Sequence, residues 1–290
     1  MPMKSILTIF CLFWTVLAFS QSRGDGEYHV DKDYKISATG KLRLEVSDAK
    51  VYITGSGRAN AHVRIDRVVT TKGLSFGHEE FSVDITEIGG DLEIREHSNS
   101  VQVGIVGYHY EKYTVNIDLP QGASLQVKGD DGDYWVKNID GAISMDLDDA
   151  DVDLTQCSGN KFDFRMDDGD VSMDEGKGSL EIDGDDSDVE IRNGNFDFVD
   201  AKLDDGDLII ETALADKGEY RIHAQDGLVS FTVTNGGGKF DIRHDDGRVT
   251  TEGDFKKEED DENWTRLTTS TGTARVDIRT DDARVKLIRR

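Results

Sequence analysis

Residues 143–173 read ISMDLDDADVDLTQCSGNKFDFRMDDGDVSM, and they state one short pattern twice. Ile143 and Met145 lead to Asp148-Asp149-Ala150 and then to Val152 and Leu154. Phe162 and Phe164 lead in the same way to Asp167-Asp168-Gly169 and then to Val171 and Met173. Apolar residues fall at every second position on both sides of an acidic turn. A strand turns alternate side chains to opposite faces, so each copy offers one inward stripe before the turn and another after it. A helix would need apolar residues every three to four positions, and that spacing is absent.

The same grammar extends outward in both directions. Taking the middle Asp as anchor, copies are centred on Asp48, Asp131, Asp149, Asp168, Asp186, Asp205, Asp226, Asp246 and Asp282. From Asp131 to Asp246 the anchors recur at nearly even intervals, and Asp282 follows after two such intervals. The turns continue as Asp130-Asp131-Gly132, Asp185-Asp186-Ser187, Asp204-Asp205-Gly206 and Asp245-Asp246-Gly247. Asp-Gly suits a turn because Gly accepts positive φ and Asp can hydrogen-bond nearby backbone. Gly141, Gly159, Gly178 and Gly194 mark a second turn on the other side of each unit. Two prolines in the whole chain leave backbone ladders uninterrupted.

One unit cannot bury its own apolar face, but a stack can. The pattern therefore predicts an all-β, single-chain β-solenoid (β-helix) of 18–20-residue rungs over residues 120–290. Between Asp48 and Asp131 lie alternating runs at 62–69, 81–88, 91–96 and 112–119, read as an N-terminal β-cap region spanning 41–119. Residues 253–262 are dense in charge and read as an acidic loop. The last unit carries Arg284, Lys286, Arg289 and Arg290, charges that would discourage end-to-end pairing.

Residues 1–20 stand apart. Lys4 supplies a positive start, Ile6 to Phe19 is a short apolar run, and Ala18-Phe19-Ser20 places small residues before Gln21. This reads as a secretory signal peptide, followed by a linker at 21–40. It is short for a spanning helix, which needs about 20 apolar residues. After cleavage no transmembrane segment is expected. The expected location is exported: periplasmic, cell-surface or secreted. Only Cys157 then remains, so no disulfide inside the chain is expected.

The chain is acidic, with a formal charge of −25. Such a surface repels a nucleic-acid backbone, so no nucleic-acid partner is expected. Acidity with few apolar residues can also signal disorder. Strict alternation of the apolar residues argues against that here.

Val115, Ile117, Leu119, Pro120, Gly122, Ala123, Ser124 and Leu125, followed by the repeated Gly-Asp turns, resemble the family of bacterial envelope proteins known as putative adhesins. That family is a domain of unknown function. The resemblance covers roughly 41–287 and implies a β-helix at the envelope or surface. A surface glycan or envelope protein is the partner it suggests. This chain carries far more Asp at its turns than the resemblance accounts for.

Those Asp residues are the one candidate site of unusual density. Five consecutive turns read Asp-Asp-x-Asp, giving Asp130, Asp131 and Asp133; Asp148, Asp149 and Asp151; Asp167, Asp168 and Asp170; Asp185, Asp186 and Asp188; and Asp204, Asp205 and Asp207. Stacked about 4.8 Å apart, like charges repel unless they splay outward or share cations. Calcium is the candidate ion, since it takes six to eight oxygens in loose geometry. Asp as a plain turn residue is the simpler reading, and the nonapeptide of calcium-binding β-rolls is missing. Beyond Asp207 the equivalent position becomes Leu228, Arg248 and Arg284, which bounds any metal stack.

A polysaccharide-active lyase or hydrolase is the alternative function. Paired carboxylates are so abundant here that they carry no information about catalysis. His223 and His244 sit on neighbouring units without an acid–base arrangement, and His62, His78, His97 and His109 lack zinc spacing. Cys157 has no nucleophile context. No catalytic residue is assigned. Among Tyr108, Tyr110, Tyr113, Tyr134, Trp135 and Trp264, Trp135 faces outward by alternation and is the best candidate for contacting a glycan.

Overall fold

The computed structural model describes residues 26–269 and 271–290, without the side chains of 71–79 and 100–109. The signal-peptide reading, His78, His109 and Tyr108 lie outside the described residues or side chains. Among the described residues all eighteen elements are strands, and together they form one sheet wound around a single apolar column.

Four strands carry the central repeat: β6 (Ser124–Lys137), β7 (Ile143–Thr155), β8 (Lys161–Asp174) and the first part of β9 (Lys177–Asp205). They stack in parallel and in register, so that Leu125, Ile143, Phe162 and Leu180 stand in line. Past the acidic motif, Tyr134, Val152, Val171 and Val189 form a second line. Both lines face inward and are almost wholly excluded from solvent. Two apolar lines from two legs of each rung thus pack against each other, and their burial is the main driving force for this β-solenoid.

The Asp-Asp-Gly motif differs from the expected turn. Strand pairing runs straight through it, and the motif is a corner within a continuous strand. The structure also explains why its third letter changes from rung to rung. Along the corner column stand Ala49, Gly132, Ala150, Gly169, Ser187 and Gly206. Gly169 and Gly206 have φ of +107° and +117°, and a Cβ at either would lie 2.2 or 2.3 Å from the carbonyl oxygen of Ala150 or Ser187. The intervening Ala49, Ala150 and Ser187 are buried. Along these six positions glycine and small-residue rungs alternate, and each glycine approaches the backbone of the rung before it.

The N-terminal end departs from sequence order. β2 (Lys41–Val46) and β3 (Ala49–Ser56) stack directly on β6, Leu42 beside Leu125 and Val51 beside Tyr134, although these partners are far apart in the chain. The intervening chain is a long antiparallel hairpin, β4 (Ala61–Ile88) with β5 (Asp91–Pro120). Both ends of β5 return to the first rung, pairing Leu92 with Leu42 and Val115 with Val51. β1 (Glu27–Tyr34) adds to the outer side of β4.

The C-terminal end overturns a second expectation. β10 (Asp207–Ala213), β11 (Glu219–Ala224) and β12 (Leu228–Asn235) continue the stack. Next in space come β17 (Ala274–Thr280) and β18 (Arg284–Arg289), the last strands in sequence. Only then come β13 (Gly238–His244) and β14 (Val249–Glu252). The final rung is therefore enclosed, and its Arg and Lys residues guard no free end. Val276, Ile278, Val285 and Leu287 of that rung are buried, and a neighbour on each side keeps water from them.

Closure falls instead to β15 (Lys256–Asp261) and β16 (Trp264–Thr268), an antiparallel pair added to β13. Residues 253–262, read as a loop, thus contain a strand. Every residue of β15 is exposed and charged, which suits a sheet edge that must not recruit another chain.

Replacing Gly169 with Val should lower stability by about 2 kcal/mol or more, from backbone strain of ~1–3 kcal/mol with the clash added. Ala150→Ser, which copies Ser187 in the same column, should leave the melting temperature nearly unchanged. Thermal melts of both variants test the corner column; equal losses would refute it.

Candidate functional site

The corners bring the predicted Asp residues into lines. Asp131 pairs with Asp149 and Asp133 with Asp151; further along, Asp168 pairs with Asp186 and Asp170 with Asp188. Part of this density has a structural use. The Asp151 carboxylate accepts a hydrogen bond from the amide of Asp170 at 3.2 Å, and Asp188 accepts one from Asp207 at 2.7 Å. In both cases the donor follows a corner glycine. A carboxylate from one rung caps the amide that the tight corner of the next rung leaves available. Lys50 neutralises Asp133 at 2.7 Å.

Elsewhere the crowding is not relieved. The Asp168 carboxyl is hydrogen-bonded to Asp149 and repelled by its acidic neighbours, which raises its pKa above the usual range. Partial desolvation, then Asp167 and Asp130, push Asp148 up. Asp170 is raised by desolvation and then by Asp151 and Asp188. Asp48, on the first rung, is raised by desolvation and then by Asp131. A cleft of about 340 Å³ runs over Asp133, Asp149, Asp151 and Asp168. Among the described residues, no group of three or more His, Cys, Asp or Glu side chains is placed to hold one metal ion.

A carboxyl whose folded pKa is raised binds its proton more tightly in the native state. Its contribution to stability is therefore lost as pH rises through that raised value. Asp91, Glu258 and Asp260 are shifted the other way, Asp91 by a hydrogen bond from the Lys41 amide and the others by Lys256 and Lys257. Their contributions are lost as pH falls through their lowered values.

The other candidates separate cleanly. Trp135 is outward and half-buried, and the ring of Tyr52 on the neighbouring rung stacks on it at 4.6 Å and 8°. Lys50 lies 5.7 Å above the Trp135 ring. Tyr52 is 38 % exposed; its partnership was hidden in sequence because the whole β4–β5 hairpin separates the two. Tyr113 and Tyr134 are core residues, Tyr110 is exposed, and Trp264 stacks with Arg266.

His223 is exposed on an outward position, whereas His244 follows the inward alternation of β13, so the two do not meet. His62 lies between Asp31 and Asp33 at 3.3 and 3.0 Å, and His97 meets Asp84 at 3.1 Å. Cys157 is fully buried, and burial pushes its thiol up to about 11, so it is not a poised nucleophile. No helix among the described residues is long and apolar enough to cross a membrane.

Asp168→Asn should raise the melting temperature at pH 7, because it keeps a hydrogen-bonding group and removes a repelled charge. For the parent chain, melting temperature should climb as pH falls from 7 toward the raised carboxyls. It should drop once Asp91, Glu258 and Asp260 protonate. A flat profile, or an Asp168→Asn variant less stable at pH 7, would contradict this account.

Several solved structures are similar to the chain at low identity. A "putative adhesin" from Parabacteroides distasonis is 13 % identical, with 91 % of this chain and 98 % of that one covered and a TM-score of 0.48. A second, from Parabacteroides merdae, is 13 % identical, with coverage of 89 % and 95 % and a TM-score of 0.43. A "putative lipid binding protein" from Parabacteroides distasonis is 12 % identical, with coverage of 89 % and 96 % and a TM-score of 0.41. No curated protein matches the chain. The model of the Toastrack DUF4097 family matches residues 39–287, nearly the whole of the described solenoid, and this chain belongs to that family.

Proposed function

We propose that the chain is a non-enzymatic, exported β-solenoid of the bacterial cell envelope, acting as an adhesin or surface scaffold. In this reading its 18–20-residue rungs form a rigid body and the β4–β5 hairpin caps its N-terminal end. Its location is periplasmic, cell-surface or secreted. The observation that carries the proposal is the stacked Tyr52–Trp135 pair on an outward sheet face, beside Lys50 and Asp133. Aromatic rings with polar neighbours on an open surface suit the apolar faces and hydroxyls of a sugar chain.

The rival reading as a polysaccharide lyase or hydrolase would need acid and base groups gathered where the repeat breaks. Among the described residues, the irregular segments are the strand additions at the two ends. The His residues there lie against carboxylates (His29, His62 and His97) or follow the inward alternation (His244).

Trp135→Ala should abolish retention of the protein on immobilised bacterial surface polysaccharide while leaving its melting temperature within a few degrees. Retention unchanged by that substitution, with Tyr52→Ala also silent, would remove the aromatic pair from the function. Calcium belongs to the same proposal as a stabiliser bridging corners of adjacent rungs. Millimolar calcium should then raise the melting temperature more than sodium chloride of equal ionic strength. Equal shifts would reduce the effect to screening.

A further inference from the structure

The outward row three positions before each corner carries a charge pattern that neither the aromatic pair nor the Asp corners explain. Strand pairing places Arg95 beside Glu45, Glu45 beside Lys128, Lys128 beside Asp146, Asp146 beside Arg165, and Arg165 beside Asp183. Asp183 and Lys202 then line one depression. From Arg95 to Lys202 the sign alternates without a fault. Opposite charges on adjacent strands are the arrangement that stabilises a ladder, and the structure uses it: Arg95 meets Glu45, and Lys128 meets Asp146, each at 2.9 Å.

After Lys202 the alternation stops. His223 pairs with Lys202, Arg279 with His223, and Arg243 with Arg279. Four consecutive strands therefore present basic or neutral side chains on one row, with no carboxylate between them, in a chain of net charge −25. All four side chains are exposed. Arg279 comes from the enclosed C-terminal rung and Arg243 from the rung it displaces outward, so the insertion sets Arg279 between His223 and Arg243.

Part of the run is held in place. Arg279 is paired with Asp277 at 3.2 Å on the neighbouring row, where Arg221 meets Asp200 at 3.8 Å. Lys202 and Arg243 take part in none of the ion pairs among the described residues. A cavity of about 210 Å³ opens between Lys202, Arg221, His223 and Arg279, with Asp200 and Asp277 also on its wall. Corner carboxylates Asp204, Asp245 and Asp281 follow two positions beyond the row. Carboxylates on both flanks confine any anion to this row.

We infer that the row Lys202, His223, Arg279 and Arg243 binds a linear anion carrying phosphoryl groups in series. Hydrogen-bonding side chains about 4.8 Å apart on successive strands, those of Lys202, Arg279 and Arg243 cationic, offer repeated contacts to a chain of phosphoryls rather than one closed pocket. Arginine forks suit phosphoryl oxygens. Three strand intervals, about 14 Å in all, accommodate more than one phosphoryl unit. These residues lie on the other leg of the rungs from Tyr52 and Trp135, so glycan binding and phosphoryl binding stand or fall separately.

The test is calorimetric titration of the full chain with inorganic phosphate, pyrophosphate and tripolyphosphate at low salt. Tripolyphosphate should bind at least tenfold more tightly than phosphate, and Arg279→Gln with Arg243→Gln should weaken it at least tenfold. Lys128→Gln, on the alternating half of the same row, should not weaken it. Melting curves verify that the variants fold. Co-sedimentation with cardiolipin vesicles, whose headgroup links two phosphates, lost in the double variant, would mark the source as a lipid headgroup. Polyphosphate binding without vesicle binding would mark a soluble phosphorylated chain. Absence of tripolyphosphate binding, or equal loss with Lys128→Gln, would overturn the inference.

Discussion

Parallel strands in register place every residue beside its equivalents on the rungs above and below, at the spacing of one backbone hydrogen bond. In this molecule that constraint acts on three kinds of residue at once. Inward positions become continuous apolar lines such as Leu125, Ile143, Phe162 and Leu180. Corner positions become a column in which backbone approaches backbone, so only glycine, alanine or serine stands there. Outward charged positions become rows in which each charge sees its neighbours at close range. Core, corner and surface are consequences of the same pairing.

The rows show two answers to electrostatic crowding. On the leg before the corner, alternation of sign from Arg95 to Lys202 turns stacking into attraction. At the corner the residues are nearly all aspartate, and alternation is given up. Some of the carboxylates there serve the backbone, as Asp151 and Asp188 accept corner amides. Others, such as Asp148 and Asp168, are held in mutual repulsion and shift their protonation accordingly. At these corners local charge works against stability.

At each end the stack gives way to antiparallel pairing, β16 beside β13 at one end and, at the other, β4 beside a β5 whose two ends still pair in parallel with the first rung. Antiparallel hairpins can end a parallel stack because they pair one edge and present a strand of different composition outward. At the C-terminal side that outer strand is fully charged. At the N-terminal side the hairpin is long enough for both ends of β5 to reach back to the first rung.

Much of the fold was legible in the sequence. The alternation of apolar residues and the regular return of the Asp motif specify strands, rungs and inward residues, since those depend only on local geometry and period. Trp135 could be placed outward by the same alternation. The sequence could not show that Tyr52 lies against it, that residues 41–56 stack on 124–137, or that the last rung lies between two earlier ones. These pairings join segments far apart in the chain. They are chosen by which apolar edges must be covered on both sides, and that is a property of the whole stack. The corner's identity as a bend within a paired strand was equally hidden, because Asp-Asp-Gly permits either geometry and only the neighbouring rungs select one. The row Lys202, His223, Arg279 and Arg243 is legible in part, since each member stands three residues before an Asp anchor. The order of the rungs decides only that Arg279 lies between His223 and Arg243.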